Sequence, residues 1–394
     1  MIYLDNAGTT KMSEKALNAM LPFFAEEYGN ASSLHTLGQK AKEHLEKARS
    51  IVANAIGAQT REIYFTSGGS ESDNWAITSA CSIGEKMGKK HIITSAFEHH
   101  AILHTLKEME KQGFSVTYLP VYENGIIKIS DLKKAITPQT CLVTIMFANN
   151  EIGTIQPIKQ IGEICRQNKI IFHTDAVQAV GHLPINVEEM NIDMLSMSGH
   201  KFHGPKGVGA LYCKKNIALK SLIHGGSQEK LRRAGTENLA GIVGMAAALQ
   251  ESINTIRQTT LRETTLRNKL FKELSKIPHS KINGDTKKRL PNNFNMSFEG
   301  IEGESLLLLL DDLGICASSG SACTSGSLDP SHVLLSIGLA HEVAHGSLRL
   351  TLSKYTTKEE IDFVIKQVPV IVEKLRKMSP IWEDLEKGVK KHVI

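Results

Sequence analysis

One thiol lies in a run of small and polar residues in the last quarter of the chain. The segment from Ser318 to Ser327 reads SSGSACTSGS, and Cys323 is its only cysteine. Such a run has almost no apolar area to bury, so it is expected to form a mobile loop rather than part of a core. Free cysteines usually pack as small buried hydrophobic residues, whereas a thiolate in an accessible loop is a nucleophile. The run therefore raises the question of why a loop of this composition carries a thiol, and the simplest explanation is a cysteine in a surface linker.

Polar residues with complementary chemistry follow several predicted strands. Gly69 and Ser70 lie in a turn that enters a helix, where free backbone N–H groups can bind phosphate. His99 follows the strand HIITS, and its imidazole could stack on a ring. Asp175 ends the apolar segment KIIFHTD, where a carboxylate is costly unless a cation such as a protonated pyridine nitrogen pairs with it. Lys201 lies in the glycine-flanked turn of SMSGHKFHGPKG, and its amine could form an imine with an aldehyde.

Each of these signals has a simpler explanation when it stands alone. A helix cap explains Ser70, a structural or surface role explains His99, and a solvated charge explains Lys201. At consecutive strand ends, however, a phosphate-binding turn, a ring-stacking imidazole, an aspartate and an imine-forming lysine make up the set that a pyridoxal-phosphate site requires. The sequence therefore predicts such a site.

The elements that must position these residues alternate between short β-branched runs and longer helical periods. From about residue 60 to residue 215, strands are predicted at Glu62–Ser67 and His91–Ser95 and in SVTYLPV, CLVTIMFA and KIIFHTDAV. An amphipathic helix is predicted from Pro157 to Lys169. Nearly continuous apolar strands separated by helices indicate a mostly parallel sheet with both faces covered. Such sheets bind ligands at the carboxyl ends of their strands.

The pattern changes after about residue 258. A charged helix is predicted from Thr260 to Ile277, and shorter strands follow in NNFNMSFEG and SLRLTLS. These elements indicate a second, smaller α+β domain, which the N-terminal segment could complete. Another amphipathic helix is predicted after Lys358.

Composition and charge argue against several classes of protein. Of the 394 residues, 41% are hydrophobic and 22% are charged, as in soluble globular enzymes. The formal net charge of +5 is spread over the chain, so nucleic acid is not an expected partner. The longest aliphatic run, Leu306 to Leu310, is too short to cross a membrane, and the first residues do not resemble a signal peptide. The six cysteines lack a framework of paired spacings, which is typical of free thiols in a reducing compartment, so a cytoplasmic location is predicted.

Ten segments of the sequence are similar to those of one enzyme family. They are YLDNAGTT, YGNASSLH, TSGGSESDN, EHHAIL, ANNEIGTIQPI, HTDAVQAVGH, SMSGHKFHGPKGVGALY, RRAGTENLAGIVG, SSGSACTSGSLDPSHVL and LRLTLSKYTT, and they run from residue 3 to about residue 357. On these motifs the chain resembles the cysteine desulfurases of the NifS and IscS kind, within the fold-type I pyridoxal-phosphate enzymes. Its SACTSG segment is similar to the long loop of that kind.

The resemblance implies an α/β fold in two domains. A large domain that binds pyridoxal 5′-phosphate, at residues 16–258, would hold a mostly parallel, seven-stranded sheet. Residues 1–15 and 259–394 would form a smaller α+β domain, which includes a mobile catalytic-cysteine loop at about residues 316–332. The family also implies a homodimer.

The resemblance further implies roles for individual residues. Lys201 would be the cofactor-binding lysine, His99 would stack on the cofactor ring, and Cys323 would accept the sulfur. Arg349 would hold the substrate carboxylate, and Asn30 would lie near the substrate. No intrinsic metal site is implied, although Cys323 could bind an iron–sulfur cluster transiently. The other cofactor-binding residues implied are Gly69, Ser70, Asn150, Asp175, Gln178, Ser198, Gly199, His200 and, from the neighbouring subunit, Thr236.

The reaction implied is the removal of sulfur from L-cysteine, which gives L-alanine and a persulfide on Cys323. That persulfide would pass to a sulfur-acceptor or iron–sulfur scaffold protein, in iron–sulfur cluster assembly or related sulfur transfer. Three alternatives share some of these features: a selenocysteine lyase, an aminotransferase that uses the same lysine, and a non-catalytic partner in iron–sulfur assembly. The identity of the acceptor does not follow from the sequence.

Overall fold

Helices and strands alternate along the chain. The computed structural model describes residues 1–319 and 330–394, so Cys323 lies outside the described residues. The strands are β1 (Ile2–Tyr3), β2 (Ile63–Thr66), β3 (His91–Ser95), β4 (Ser115–Leu119), β5 (Thr140–Thr144), β6 (Ile171–Asp175), β7 (Met194–Ser198), β8 (Gly209–Cys213), β9 (Ser280–Ile282), β10 (Asn293–Phe298), β11 (Ile315–Cys316) and β12 (Ser347–Thr351). The α-helices are α1 (Glu14–Met20), α2 (Pro22–Ala25), α3 (Thr36–Ala55), α4 (Gly69–Lys86), α5 (His100–Lys111), α6 (Ile129–Ala135), α7 (Ile158–Asn168), α8 (Gln228–Leu231), α9 (Leu239–Leu274), α10 (Gly303–Asp312), α11 (His332–Ser336), α12 (His341–His345), α13 (Lys358–Lys377) and α14 (Pro380–Glu386).

The large sheet has seven strands in the order β2-β8-β7-β6-β5-β3-β4. The strands from β7 to β4 are parallel, whereas β8 runs antiparallel to both β2 and β7. Every residue of β3, β5, β7 and β8 is buried, because helices cover both faces of the sheet. The predicted α/β fold with a mostly parallel, seven-stranded sheet is confirmed.

Local sequence sets the ends of the helices between these strands. The amphipathic helix predicted from Pro157 to Lys169 is α7, which packs Ile161 and Cys165 into the core beside β6. Lys169 ends it by adopting left-handed backbone angles, φ 55° and ψ 41°, and the chain then turns into β6. The prediction is therefore confirmed to within a residue at each end.

The longest helix corrects another prediction. A charged helix is predicted from Thr260 to Ile277, but α9 is continuous from Leu239 to Leu274. The first half of α9 is rich in glycine and alanine, which lets α1 and α3 pack closely against it. A Cβ atom on Gly244 would come within 2.4 Å of Cγ of Met20. The predicted domain boundary after residue 258 falls inside this helix and stays a prediction.

Part of α9 is long and apolar enough, by length and composition alone, to cross a membrane. In the part of the chain that the structure describes, it is the one helix with this property. Its apolar half packs against α1 and α3, and 44% of its most apolar window is buried. These contacts are those of a core helix in a folded domain.

A smaller sheet forms the second core. Strands β12, β10 and β9 pair in antiparallel fashion, and β1 pairs in parallel with β11. Leu4 lies in the same apolar cluster as Phe294, Leu350 and Val364. The N-terminal segment therefore packs with the smaller sheet. Its next residues cross to the large sheet, where the N–H of Thr10 donates to the carbonyl of the residue before Lys201 at 3.0 Å.

A buried ion pair ties the segment before α9 to the large sheet. Glu229 accepts hydrogen bonds from both terminal nitrogens of Arg49, at 2.7 and 2.8 Å, and from the N–H of Phe65, at 2.9 Å. The Arg49 and Glu229 side chains are only 3% and 2% exposed. Arg49 Nε also pairs with the half-exposed Glu46 at 3.1 Å, so Glu229 is the buried countercharge of Arg49. Glu229 and the two residues after it have positive φ angles, and this pairing holds that unusual backbone in place.

The buried pair predicts a large effect on stability. Glu229→Gln is expected to lower the free energy of unfolding by about 3 kcal/mol, because the Arg49 guanidinium would lose its buried countercharge and keep only the half-exposed Glu46. Urea denaturation measures this change. The matched control is Glu85→Gln, which breaks the exposed pair of Glu85 with Lys90 and should change the same free energy by less than about 1 kcal/mol. Equal losses in the two variants would contradict the role given to the buried pair.

Candidate active site

A cavity of about 410 Å³ opens where the carboxyl ends of β5, β6 and β7 meet the start of α4. Loops that follow parallel strands converge at one edge of the sheet, which explains how residues distant in sequence come together. The sequence-predicted residues that line the cavity are Gly69, Ser70, His99, Asn150, Asp175, Gln178, Ser198, His200, Lys201 and Arg349. The residues that line it without having been predicted are Asp5, Ala7, Gly8, Asp73, Met146, Ala148 and Val177.

Three other predicted residues do not line the cavity. Gly199 lies behind its wall, where a Cβ atom would come within 3.0 Å of Cγ of Met245 and 3.1 Å of the carbonyl oxygen of Pro205. Asn30 and Thr236 are both exposed. Thr236 is expected to act in a neighbouring subunit, so a position outside the cavity of its own chain is compatible with that role. The roles of both residues stay predictions.

Lys201 lies in a tight turn between β7 and β8. The N–H of Gly204 donates to the carbonyl of Gly199 at 2.9 Å and closes this turn. The Lys201 Nζ atom donates to the carbonyl oxygens of Ala7 and Gly8, at 2.6 and 2.7 Å. Backbone carbonyls of the N-terminal segment thus hold the amine at the cavity, so the smaller sheet helps to position Lys201.

Asp175 ends β6 with its carboxylate in the cavity wall. Its Oδ1 atom accepts a hydrogen bond from the N–H of Val177 at 2.9 Å. Burial raises the pKa of Asp175 to about 6, and the Val177 N–H and the charge of Lys201 oppose this rise. The carboxylate is still mostly ionised at neutral pH, and a cation placed against it would relieve the cost of its burial.

Hydrogen-bond donors gather at one end of the cavity. Helix α4 begins at Gly69, and the N–H groups in the first turn of a helix have no intrahelical acceptors. Ser70 lies in that turn, and Ser198 and His200 line the cavity at the end of β7. A Cβ atom on Gly69 would come within 2.7 Å of Cγ2 of Val177, so a larger residue would crowd this wall. The donors and the helix dipole together form an anion-binding end.

His99 presents a neutral ring to the cavity. Its Nδ1 atom accepts the N–H of Ala101 at 3.1 Å and caps α5. In the neutral ring the proton is therefore on Nε2. Burial, and then the charge of Lys201, lower the pKa of His99 to about 4. Burial likewise lowers the pKa of His200 to about 4, so neither imidazole carries a charge at neutral pH.

Arg349 enters the cavity from the smaller sheet. It lies on β12 with its side chain only 2% exposed. Its Nη2 atom donates to Oδ1 of Asp5 at 2.9 Å, and Nη1 donates to the carbonyl of Asn150 at 3.3 Å. Its Nε is buried and has no hydrogen-bond partner within residues 1–319 and 330–394. A planar guanidinium with an unused N–H donor is suited to bind a carboxylate.

Sequence reasoning missed residues that act through the backbone of the N-terminal segment. The carbonyl of Ala7 accepts hydrogen bonds from both Gln178, at 3.0 Å, and Lys201. A Cβ atom on Gly8 would come within 2.6 Å of Oδ2 of Asp5. No pattern of side-chain types reveals such roles, although the segment LDNAGTT was among those similar to the family.

Asp73 is a buried residue of the cavity lining and gave no signal in the sequence. It is 1% exposed, and its Oδ1 atom has no hydrogen-bond partner in the described part of the chain. Burial, and then the charge of Asp175, raise the pKa of Asp73 well above its ordinary value. Its neighbour His173, with Nε2 at 3.7 Å, is neutral because burial lowers its pKa to about 3. Ionising both Asp73 and Asp175 would bring two like charges together in a buried site, which is unfavourable. Asp175 keeps the charge because it faces Lys201.

Glu98 is another buried acid, directly before His99. Each of its carboxylate oxygens accepts the N–H of Met146 at 3.0 Å, and Ser95 donates its hydroxyl to one of them. Burial raises the pKa of Glu98 to about 8. The carboxyl is therefore mostly protonated at neutral pH and acts as a packing and hydrogen-bonding group.

The fold and the site define the class of protein. The model of the class V aminotransferase family matches residues 2–364, and the chain belongs to this family. Two solved structures share its fold. A "NifS-like protein" has a TM-score of 0.89 and 39% identity, over 95% of this chain and 100% of that chain. A structure titled "SspA in complex with cysteine" has a TM-score of 0.79 and 37% identity, over 91% of this chain and 100% of that chain. The predicted fold-type I architecture is therefore confirmed.

Curated relatives narrow the assignment. The cysteine desulfurase IscS of Clostridium botulinum is 55% identical over 390 residues, which are 98% of both chains. The cysteine desulfurase IscS of Methanosarcina thermophila is 54% identical over 96% of this chain and 94% of its own. Within the class V aminotransferase family, the chain belongs to the cysteine desulfurases, as the sequence motifs predict.

The titration of Glu98 predicts a dependence of stability on pH. In the unfolded chain this carboxyl loses its proton at its ordinary pKa of 4.5, whereas in the folded protein it keeps the proton up to about pH 8. Between these values the folded state holds one more proton. Raising the pH therefore lowers the free energy of unfolding, by up to about 1.4 kcal/mol per pH unit.

Glu98→Gln removes this titrating carboxyl, so the free energy of unfolding is expected to depend less steeply on pH. Urea denaturation at several values between about pH 5.5 and pH 7.5 measures the slope. Glu85→Gln, an exposed substitution of the same kind, should keep the parent slope. If the slope of Glu98→Gln equalled that of the parent protein, the raised pKa would be wrong.

Proposed function

We propose that this protein removes the sulfur atom of L-cysteine with pyridoxal 5′-phosphate as cofactor, and that the sulfur passes first to Cys323. The observation that carries the proposal is the convergence of Lys201, Asp175 and Arg349 on one cavity. An amine, a buried carboxylate and a guanidinium serve a pyridine cofactor and an amino-acid substrate together. Relatives named cysteine desulfurase, and a structural neighbour titled as a complex with cysteine, support cysteine as the substrate.

The chemistry of the cavity wall fits the proposed cofactor. Asp175 is buried with a raised pKa, which the charge of Lys201 only partly offsets, and a protonated ring nitrogen would place a second cation directly against it. His99 would lie against the ring without adding charge, and Lys201 would bind the aldehyde carbon covalently. Asn150 and Gln178 would lie near the ring oxygen. When bound, pyridoxal 5′-phosphate supplies an electron sink for negative charge at the α-carbon of an amino acid.

The opposite end of the cavity fits a phosphate group. The first turn of α4, at Gly69 and Ser70, offers backbone N–H donors, and Ser198 offers a hydroxyl. His200 is held by Thr9, whose Oγ1 lies 3.1 Å from its Nδ1. A neutral imidazole can donate a hydrogen bond to phosphate from its other nitrogen.

Arg349 and Lys201 would handle the substrate. The Arg349 guanidinium would bind the substrate carboxylate, and its Nε, which lacks a partner among the described residues, is available for this contact. The Lys201 amine would take the proton from the α-carbon. The carbonyls of Ala7 and Gly8, which already accept from Nζ, would then stabilise the protonated amine. Asn30 is proposed to lie near the substrate.

The segment that carries Cys323 leaves and returns at the cavity wall. Ser318 exchanges two backbone hydrogen bonds with Arg349, at 2.7 and 3.2 Å. After the segment, Ser331 donates its hydroxyl to Glu151, which follows the cavity residue Asn150 in the sequence. Both anchors support a thiol that can reach a substrate bound by Arg349.

The sulfur transfer is balanced without an oxidant or a reductant. The Cys323 thiolate forms an S–S bond with the substrate sulfur, and the Cβ–S bond of the substrate breaks. The electron pair of that bond stays on Cβ, which takes up a proton, so L-alanine leaves and Cys323 carries a persulfide. The outer sulfur would then pass to a thiol of an acceptor protein, as iron–sulfur cluster assembly requires.

Substitutions of Cys323 and of Lys201 are expected to block the reaction at different stages. Cys323→Ser keeps the size of the side chain, but its hydroxyl stays protonated and is a poor nucleophile toward sulfur. This variant should still bind the cofactor and exchange the α-proton of L-cysteine, while alanine release falls by at least about 100-fold. Lys201→Ala should lose both the borohydride-trapped cofactor and the proton exchange.

Single-turnover spectroscopy with L-cysteine, together with mass spectrometry of the protein thiol, measures both stages. No persulfide should form on Cys323→Ser. Cys316→Ser is the matched control, because Cys316 lies on β11 and pairs with the N-terminal strand, and it should retain the parent rate. Alanine release at the parent rate from Cys323→Ser would refute the proposed nucleophile.

Exposed apolar side chains support a homodimer. Phe24 is 65% exposed and Leu34 is 93% exposed, in the region between α1 and α3. Leu231, which is 71% exposed, lies in the segment that also carries Thr236. Exposed apolar side chains that lie together on a surface can mark a site that binds protein. A second copy of the chain would cover them and bring Thr236 to the phosphate end of the partner's cavity.

Mixed dimers test whether Thr236 acts in the partner's site. Thr236→Ala is expected to weaken cofactor binding by about tenfold, because one hydrogen bond to a charged group would be lost. In a dimer of one Thr236→Ala chain and one Lys201→Ala chain, the site that keeps Lys201 would receive an intact Thr236 from the other chain. Cofactor titration of the mixed dimer should therefore recover parent affinity in half of its sites. If the sites that keep Lys201 bound the cofactor tenfold more weakly than the parent protein, Thr236 would act in the site of its own chain. An active monomer in sedimentation would exclude the dimer.

A further inference from the structure

Two imidazoles and a buried carboxylate meet outside the active-site cavity. His279 precedes β9, Glu299 follows β10, and His392 lies beyond α14. One possible ligand atom from each of these residues lies within 4.8 Å of the other two. The Nδ1 atoms of His392 and His279 are 2.7 and 3.6 Å from Oε2 of Glu299. The Nδ1 atom of His279 also lies 2.9 Å from the O atom of Ile394, a contact that it would give up to bind a metal. None of the three residues lines the cavity that holds Lys201.

The Glu299 carboxylate is only 5% exposed, so a cation in direct contact with it is favourable in addition to the nearby charge of Arg376. Arg376 directs its hydrogen bonds to the backbone carbonyls of Glu299 and His279, at 3.0 and 2.9 Å, rather than to the carboxylate. The rings of His279 and His392 are stacked with centroids 3.6 Å apart, so both imidazoles lie beside the same carboxylate. A divalent cation would bind the two imidazoles and the carboxylate together.

We propose that His279, Glu299 and His392 form a binding site for a divalent transition metal of the Zn²⁺ class. Two imidazoles and one carboxylate are ligands that this class prefers, and water can complete the coordination. Nitrogen and oxygen ligands of a tetrahedral zinc ion lie about 3.3 Å apart, given metal–ligand bonds of about 2.0 Å. The separation of His279 from Glu299 is close to this value. His392 must move away slightly and turn its ring out of the stack, which its exposed position permits.

The surroundings leave one carboxylate oxygen available for the metal. The N–H of Val393 donates to Oε1 of Glu299 at 2.7 Å, so Oε2 is the oxygen that faces the imidazoles. Trp382 packs edge-on against both imidazoles, with each pair of centroids 5.5 Å apart, and shields one side from water. Gly300, with φ of 80°, makes this contact possible, because a Cβ atom there would come within 2.5 Å of Trp382. Such support around the ligands fixes their orientation.

A metal at this position would clip residues 388–394 to the end of the smaller sheet. The three ligands are far apart in the sequence and lie next to separate elements, so the sequence contains no short metal-binding motif for this site. The family resemblance implied no intrinsic metal site, and this proposal departs from that expectation because the site is formed only by tertiary contacts.

Cobalt titration of the full-length holoenzyme tests the site. After removal of metals with a chelator, Co²⁺ should bind one ion per chain and give the visible absorption of cobalt held by nitrogen and oxygen, and Zn²⁺ should displace it. His392→Ala and Glu299→Gln are each expected to weaken Co²⁺ binding by more than about 100-fold. The matched control is His341→Ala, which removes one member of another imidazole pair, with centroids 4.7 Å apart but no role in the proposed site. It should bind Co²⁺ as the parent protein does.

Thermal denaturation gives an independent measurement for variants that fold. Zn²⁺ should raise the Tm of the parent protein and of His341→Ala, but not the Tm of His392→Ala. Desulfurase activity of His392→Ala should equal that of the parent protein, so a failure of the metal site and a failure of the proposed function are distinguishable. Parent-like Co²⁺ affinity in His392→Ala, or a thiolate-to-cobalt charge-transfer band in the parent protein, would overturn the proposal.

Discussion

The burial of the Arg349 guanidinium is the constraint on which the active site depends. A cation that is only 2% exposed must find acceptors inside the protein. It finds Asp5 in the N-terminal segment and the carbonyl of Asn150 at the end of a loop from the large sheet. The two terminal nitrogens of Arg349 therefore find these acceptors only when the smaller sheet, the N-terminal segment and the large sheet are docked together. Its backbone also pairs with Ser318, where the segment carrying Cys323 begins.

The same N-terminal segment holds the second functional cation. The carbonyls of Ala7 and Gly8 accept hydrogen bonds from Lys201, which comes from the large sheet. Two cations from different sheets are thus held by neighbouring residues of one short segment. That segment sets the distance between Arg349, which is proposed to bind the substrate carboxylate, and Lys201, which is proposed to move the α-proton. A loop on the large sheet alone could not set this distance.

Burial also decides which groups of the site carry charge. Asp175 remains mostly ionised at neutral pH because it faces Lys201 and accepts from a backbone N–H. Glu98 and Asp73 are pushed toward their neutral forms, since each is buried near other carboxyls. Burial keeps the imidazole of His99 neutral as well. The cavity therefore presents the carboxylate of Asp175, the cations Lys201 and Arg349, of which Arg349 pairs with Asp5, and a set of neutral donors. This arrangement suits a ligand with a cationic ring and anionic ends.

Much of the site could be predicted from the sequence, because the informative residues lie at the ends of regular elements. A short apolar strand followed by Asp175, or by the glycine-flanked turn of Lys201, can be identified from local periodicity, and parallel strands bring their carboxyl ends to one edge. The same local pattern predicted α7 to within a residue at each end. It also predicted the mostly parallel sheet.

Tertiary packing decided the rest. The start of α9 was missed because glycine and alanine give no amphipathic signal until α1 and α3 pack against them. The role of Ala7 is carried by a backbone carbonyl, and the charge state of Asp73 is set by its burial in the cavity wall. The cluster of His279, Glu299 and His392 depends on contacts between elements far apart in the chain. The sequence by itself determined which chemical groups stand at the strand ends, since that information is local. Only the tertiary structure decided which of those groups are desolvated and which backbone atoms face them, since desolvation and contact depend on residues distant in sequence.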